Sequence, residues 1–280
     1  SPLIRRVIAE NPGPFTYFGT GVYIIGRGEV AVIDPGPMLD KHFEALKQAL
    51  ASERVTHVFT THTHLDHSPL AHPLAEWAGC KVYGLPDPAG THAMASLEED
   101  GQEGFAPDVL VNDGDVFSGP GWTLEAIATP GHTSNHICFA LKEENALFSG
   151  DHIMGWSTTV VSPPDGDMTA YMESLDLVKA RGFDILWPTH GPPVTEVTPF
   201  IEAYIAHRRA REAQVVAQLV EGRSRIKEMI PILYKDVDSR LHPAAARSVL
   251  GHMIDLVKRG RVSSPDATPG LDSDYNLINP

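Results

Sequence analysis

Thr61-His62-Thr63-His64-Leu65-Asp66-His67 places four metal-capable side chains within six residues. The stretch that leads into it, Val55-Thr56-His57-Val58-Phe59-Thr60-Thr61, is rich in β-branched and aromatic residues and reads as a strand. Side chains at i and i+2 of an extended segment point the same way, so His62 and His64 are expected to face one ion. The chain must then turn, and the adjacent Asp66 and His67 are expected to reach a second ion. Imidazole and carboxylate donors suit zinc, and iron or manganese are chemically compatible with the same set.

Three further segments repeat the pattern: Pro130-Gly131-His132-Thr133, Gly150-Asp151-His152 and Thr189-His190-Gly191. Each sets a ligand-type residue at the end of a β-prone run. One such histidine is ordinarily a polar loop residue. Four separate signals predict a strand scaffold that presents ligands along one rim. The β-prone runs are 21–26, 29–34, 55–61, 81–85, 109–116, 122–129, 137–141, 146–148 and 185–188. Gly26-Arg27-Gly28 between the first two is a hairpin signal. Helical spacing covers 38–52, where Leu39, Phe43, Leu46 and Leu50 recur at steps of four, three and four, and also 70–78 and 171–180. From residue 200 onward the pattern is helical, over 200–220, 226–234 and 244–259, with Pro243 at the last helix's first turn. Residues 86–108, with Glu98-Glu99-Asp100, read as a solvated loop, and 263–280 as an irregular tail. Strands interspersed with helices through 1–199 predict a layered α/β architecture.

The order His62-x-His64-x-Asp66-His67, then His132, Asp151 and His190, resembles the metallo-β-lactamase superfamily. The resemblance implies an αββα sandwich with a dinuclear metal site on one edge. It implies that His62, His64 and His132 hold one ion, that Asp66, His67 and His190 hold the other, and that Asp151 bridges them. A metal-bridging hydroxide is then the expected nucleophile, with Asp66 as the catalytic residue that orients it and accepts its proton. A closer resemblance runs along nearly the whole chain. Asn11-Pro12-Gly13-Pro14, Gly19-Thr20-Gly21, Gly150-Asp151-His152-Ile153-Met154-Gly155 with Thr158-Thr159, Tyr171-Met172-Glu173-Ser174-Leu175 and His207-Arg208-Arg209-Ala210-Arg211-Glu212 are similar to the β-lactamase-like protein 2 branch. In that branch the C-terminal part, here Tyr234-Lys235-Asp236-Val237 through Lys258-Arg259-Gly260-Arg261-Val262, forms a small winged-helix-like domain. Gly21 departs from an Asn common in the branch, and Ser68-Pro69-Leu70 from the usual Ser/Ile/Val-Gly-Gly. The implied organisation is a catalytic domain over 1–199, a winged-helix-like domain over 200–262 and a tail over 263–280.

Other polar residues are read more plainly. His136, four residues beyond His132, is expected to orient a loop and not to bind metal. His152, Trp156 and Thr159 are candidate substrate contacts, with packing as the other reading. His42, His57, His72 and His92 show no ligand spacing, and His242 and His252 read as surface or packing residues. The stripe Phe200, Tyr204, His207, Arg211 is expected to dock the C-terminal module, with guidance of an anionic substrate as the alternative.

The chain of 280 residues has 42% hydrophobic content, which excludes disorder for most of it. No apolar run reaches the ~18–20 residues that a membrane helix needs. Two cysteines and no apolar leader fit a reducing cytoplasm. The formal net charge is −14, unevenly spread. Residues 1–199 hold 10 Lys+Arg against 26 Asp+Glu, a net −16; residues 200–262 hold 12 against 7, a net +5; and residues 263–280 hold 0 against 3, a net −3. Three functions follow. The first is a dinuclear zinc-dependent hydrolase of small esters, thioesters or lactones. The second, which the resemblance to that branch suggests, is a metal-dependent endoribonuclease acting on single-stranded RNA; the acidic sandwich disfavours it and the basic module favours it. The third is a winged-helix nucleic-acid-binding protein with an inactive hydrolase domain. The complete ligand set speaks against it, as does the single Arg247 ahead of Lys258-Arg259. The expected partner is a small acyl substrate or single-stranded RNA, with no membrane and with a homodimer left open.

Overall fold

The computed structural model describes residues 1–88 and 101–278. His92 and the acidic run Glu98-Glu99-Asp100 lie outside the described residues. One sheet of six strands runs in sequence order: β1 (Ile4–Ile8), β2 (Gly21–Arg27), β3 (Glu29–Ile33), β4 (Arg54–Phe59), β5 (Lys81–Gly84) and β6 (Val109–Leu110). β1 to β3 pair antiparallel, and β3 to β6 pair parallel. A second sheet has β7 (Val116–Gly119), β8 (Trp122–Ala128), β9 (Ile137–Leu141), β10 (Ala146–Gly150) and β11 (Ile185–Pro188), in the order β11-β10-β9-β8-β7.

Alternation along the strands explains why the sheets stack. Tyr23, Ile25, Ala31 and Ile33 face Leu124, Phe139 and Phe148 of the second sheet. Their neighbours Val22, Ile24, Val30 and Val32 face outward, onto Leu46 of α1 (Asp40–Ala49) and Leu74 of α2 (Ala71–Ala78). On the other side Cys138, Ala140 and Leu147 pack under α3 (Met168–Arg181) and the first half of α4 (Val197–Val220). Strands buried on both faces read as continuous apolar runs, and the result is four layers, αββα. The edge that matters is set by direction. β8 and β10 both run antiparallel to β9, and β10 is parallel to β11, so β8, β10 and β11 end on one side.

The expected strand over 109–116 divides between the sheets as β6 and β7. The turn at 112–115, held by Asn112 N donating to Asp115 Oδ2, carries the chain across. α4 runs through residue 200 without a break. Ile201, Tyr204 and Ile205 pack on the sandwich, whereas Val215 and Leu219 pack with α5 (Ile226–Leu233) and α6 (His242–Lys258). Residues 263–280, expected to be irregular, are not wholly so. β12 (Val262–Ser263) pairs with β13 (Asn276–Leu277), and Tyr275 is buried in the C-terminal core. Two-residue strands are too short to show an alternation in sequence.

Asp167 joins three of these parts. Its backbone N–H donates to Gly131 O, its carboxylate caps α3 by accepting from Thr169 N and Ala170 N, and Lys258 of α6 lies 2.5 Å from Oδ2. Burial opposes ionisation of Asp167, but Lys258 and the two amide donors outweigh it and hold its pKa below the ordinary 3.8. Asp167→Ala is therefore expected to lower stability by about 1 kcal/mol, the usual loss of a helix cap. A group whose folded pKa is depressed stabilises above its unfolded pKa, so the gap to wild type should be full at pH 7 and close as pH falls below about 4. Urea unfolding at both pH values checks this, and a gap that widens in acid would contradict it.

Candidate metal centre

Every candidate ligand comes from a segment just past a strand. His62, His64, Asp66 and His67 follow β4, His132 follows β8, Asp151 follows β10 and His190 follows β11. The segment after β4 departs from the expected extended run at its start, and the turn expected before Asp66 and His67 is present. It bends at Thr61-His62 and then closes a helical turn, with His67 N and Ser68 N both donating to His64 O. That turn brings His67 back beside His62, their rings 4.1 Å apart. Glycine permits the crowding at two positions. A Cβ on Gly131 would stand 2.3 Å from Tyr171 Cα, and one on Gly150 would stand 2.6 Å from His136 Nε2. Both glycines also have positive φ, +139° and +51°.

The side chains form two adjoining donor sets. His62 Nε2 lies 3.0 Å from His64 Nδ1, which lies 3.2 Å from His132 Nε2. Nitrogens bound tetrahedrally to zinc at about 2.0–2.1 Å stand about 3.3 Å apart, so this trio has the spacing of a zinc ligand set. In the second set Asp66 Oδ2 is 3.0 Å from His190 Nε2 and 3.3 Å from His67 Nε2. Asp151 Oδ2 lies between the sets, 3.4 Å from His190 Nε2, 3.6 Å from His67 Nε2 and 4.0 Å from His132 Nε2. Among the described residues, buried Asp151 Oδ1 has no hydrogen-bond partner and His67 Nε2 has none beyond its ion-pair contacts with the two carboxylates, which is costly unless a cation uses them.

Electrostatics divides the two sets. Burial, followed by the neighbouring imidazoles, holds the His62 pKa well below the ordinary value, and burial with His132 holds His64 at about 3. Both are neutral, as metal ligation requires. Burial opposes a proton on His67 and His190 as well. There the carboxylates win: Asp66, Asp151 and Asp34 raise His67 well above its ordinary value, and Asp151 with Asp66 raises His190 to about 10. Protons on these two rings balance Asp66 and Asp151. A divalent cation supplies the same compensation while releasing those protons, so the residues fit divalent metal ions.

Supporting groups fix each ligand. Asp34, at the end of β3, is 1% exposed; it accepts from Thr61 N at 2.7 Å, Thr61 Oγ1 at 2.8 Å and His67 Nδ1 at 3.0 Å. Such a carboxylate behind a histidine sets its tautomer and leaves Nε2 as the donor atom. Thr20 Oγ1 donates to Asp66 Oδ2 at 3.1 Å, and Val160 O holds His132 Nδ1 at 2.7 Å. Arg6 donates to Gly191 O and Thr189 O, bracing the loop of His190. A Cβ at position 21 would meet the Arg6 guanidinium at 2.1 Å, so Gly21 makes room for this brace. Ser68 Oγ donates to Gln102 Oε1 at 2.8 Å and secures the altered turn. His136 takes the loop-orienting role: Nε2 accepts from Asp151 N, which leaves Nδ1 to donate to Thr129 Oγ1.

Sequence reasoning passed over Asp34, Arg6 and Thr20. Asp34 had one local signal, a carboxylate ending an apolar strand at Ile33-Asp34-Pro35, and it was open to reading as a mere stop. The substrate-contact candidates separate. Trp156 lines a cavity beside the centre and stacks on Tyr17 at 5.0 Å. The Thr159 hydroxyl is turned inward onto Asp151 O at 2.8 Å, and His152 is 0% exposed against Tyr171. Burial thus removes His152 from any surface a substrate could touch, and the inward bond removes the Thr159 hydroxyl.

A four-layer αββα fold with paired His/Asp donor sets on one edge defines a class, and the comparisons agree with it. Residues 16–190 match the metallo-beta-lactamase superfamily, and residues 226–268 match the beta-lactamase associated winged helix domain. The chain belongs to the metallo-beta-lactamase superfamily and is a hydrolase of that fold, with a helical C-terminal winged-helix domain. It is 32% identical over 274 residues to the beta-lactamase-like protein 2 homolog of Caenorhabditis elegans, covering 95% of this chain and 88% of that one. It is 32% identical over 254 residues to the atrochrysone carboxyl ACP thioesterase of Aspergillus chevalieri, covering 89% and 76%. The crystal structure of a beta-lactamase domain protein from Burkholderia ambifaria superposes with a TM-score of 0.81 at 21% identity, over 99% of this chain and 92% of that one.

Asp34→Asn keeps an oxygen for Thr61 N but removes the charge behind His67. It is expected to weaken metal binding at the second donor set by about 10–100-fold, the usual effect of losing such a partner. Chelator competition on folded protein measures this. An unchanged affinity would show that Asp34 serves the fold alone.

Proposed function

We propose that the protein is a dinuclear zinc hydrolase of small thioesters. The carrying observation is that one buried carboxylate oxygen, Asp151 Oδ2, is shared between two donor sets. His62, His64 and His132 would hold the first ion, Asp66, His67 and His190 the second, and Asp151 would bridge them. When bound, two such ions lower the pKa of a shared water and polarise the attacked carbonyl. The chain's own contribution falls first to Asp66. Its side chain is 22% exposed against 8% for Asp151, so it is the acid that reaches solvent. Thr20 and His190 fix Asp66 Oδ2, so the carboxylate orients the attacking water and takes its proton. Thioester substrates are supported by the thioesterase relative from Aspergillus chevalieri. Among the described residues no helix is long and apolar enough to cross a membrane, and the unpaired Cys80 and Cys138 support a reducing, cytoplasmic setting.

The test is a parallel turnover screen with protein of measured zinc content, against a thioester, a lactone, an aryl phosphodiester and single-stranded RNA. His64→Ala serves as the blank. Thioester hydrolysis above the blank with about two zinc ions per chain is expected, and Asp66→Asn should lower kcat by about 10²–10⁴-fold. Cleavage of RNA without thioester turnover would replace the substrate reading. No cleavage in any arm would remove it.

A further inference from the structure

A cavity of about 370 Å³ lies where the C-terminal helices meet the loop that follows Asp151. Its sandwich-side wall is the segment 154–160, the same segment whose Val160 O holds His132 and whose Thr159 holds Asp151 O. The opposite wall comes from α4 and α6 and the residues before α6. Phe15, Met154, Val237 and Leu241 make the lining mainly apolar. Its volume suits a small ligand.

Two cationic side chains of α4, Arg208 and Arg211, line the cavity one helical turn apart. Arg208 is 3% exposed. Among the described residues, no carboxylate lies within ion-pair distance of either guanidinium. Acids on the neighbouring helices pair elsewhere, and exposed Asp236, beside the lining residue Val237, makes no ion pair with either arginine. Glu212 pairs with Arg259 and Arg261, Asp255 with Arg259, and Asp167 with Lys258. A buried cation without a counter-ion is costly. Two buried N–H donors on the lining are also unmatched: Arg208 Nε and Trp156 Nε1 have no acceptor among the described residues. Packing explains only part of this: Arg208 donates through Nη2 to Thr159 O and lies over the Tyr171 ring at 5.2 Å, which leaves its Nε and its charge unmatched. Arg211 stacks on Tyr234 at 4.2 Å and donates one N–H to Leu233 O, which docks α5 but leaves its charge uncompensated. The field of the cluster is felt nearby, since burial and then Arg208 and Arg211 hold His252 at about 3.

We propose that this cavity binds an apolar group of the substrate that carries an oxyanion, with Arg211, Arg208 and the Trp156 indole N–H as its recognition groups. The inference rests on the hydrolase reading and adds a substrate class to it: thioesters with a carboxylate on the acyl group or a phosphate on the thiol. The shared chemistry is the oxyanion, and the test separates its two sources.

Three matched thioesters are compared by kcat/KM. One carries 3-phenylpropionyl on N-acetylcysteamine and is neutral. The second adds a para-carboxylate to the ring. The third carries the neutral acyl group on 4′-phosphopantetheine. At least one anionic thioester should exceed the neutral one by about 10–100-fold, the range of a hydrogen bond to a charged group. That ratio should fall toward one in Arg211→Gln and largely persist in Arg211→Lys, which keeps the charge. Trp156→Phe should lower it several-fold without removing a charge. A neutral thioester preferred or equal in the wild type, or a ratio that survives Arg211→Gln, overturns the inference. If no thioester is turned over above the His64→Ala blank, the hydrolase substrate reading fails on its own. The cavity is then judged by calorimetric titration of the full-length, metal-loaded protein with 2-naphthoate against 2-naphthamide. Any contribution of the metals is common to wild type and variant. Tighter naphthoate binding that is lost in Arg211→Gln upholds the inference, and equal binding of the two probes overturns it.

Discussion

The rim of this molecule depends on one buried carboxylate. Asp34 stands at the end of β3 and accepts from the backbone and side chain of Thr61, from His67, and at 3.3 Å from Thr189. Those bonds tie together the ends of β3, β4 and β11, which belong to two different sheets. A charge buried at this depth is tolerated only where its lone pairs are filled by donors. The same bonds that satisfy Asp34 therefore fix the bend at Thr61, the tautomer of His67 and the approach of the loop carrying His190. The ligand cluster is a consequence of how the protein solvates one acid without water.

The two donor sets differ because their counter-charges differ. The imidazoles of His62, His64 and His132 meet mainly one another, so burial keeps His62 and His64 uncharged. His67 and His190 meet Asp66 and Asp151, whose attraction exceeds the desolvation cost. Asp151 lies within reach of both groups, which makes it the electrical link between them. The surrounding braces from Arg6 and His136 act on the loops, and Thr20 acts on Asp66 Oδ2 itself. They hold side chains that would otherwise be free to rotate in close to one productive arrangement.

Much of this was legible in the chain. The cluster Thr61 to His67 and the three later ligand segments were visible because each ends a β-prone run, and the period-2 alternation of Val22, Tyr23, Ile24 and Ile25 carried the sandwich. Three things were not legible. The bend that brings His67 beside His62 depends on hydrogen bonds to Asp34, which lies 27 residues before Thr61. His152 looked available because it follows Asp151, yet Tyr171, from a helix 19 residues later, covers it. The strand pair β12–β13 is two residues long on each side and carries no periodic signal.

Local pattern and side-chain chemistry were enough to set the fold class and to point to the candidate ligands and their order along the chain. These follow from nearest-neighbour properties: which residues alternate, which break a strand, and which atoms can coordinate a cation. Only the tertiary structure decided which nitrogen of each histidine turns inward, which polar residues support the candidate ligands, and that Arg208 and Arg211 face a cavity with no counter-ion among the described residues. Those outcomes depend on burial and on partners far apart in sequence. The cost of burying a charge, and the group that offsets it, exist only once the layers have closed around it.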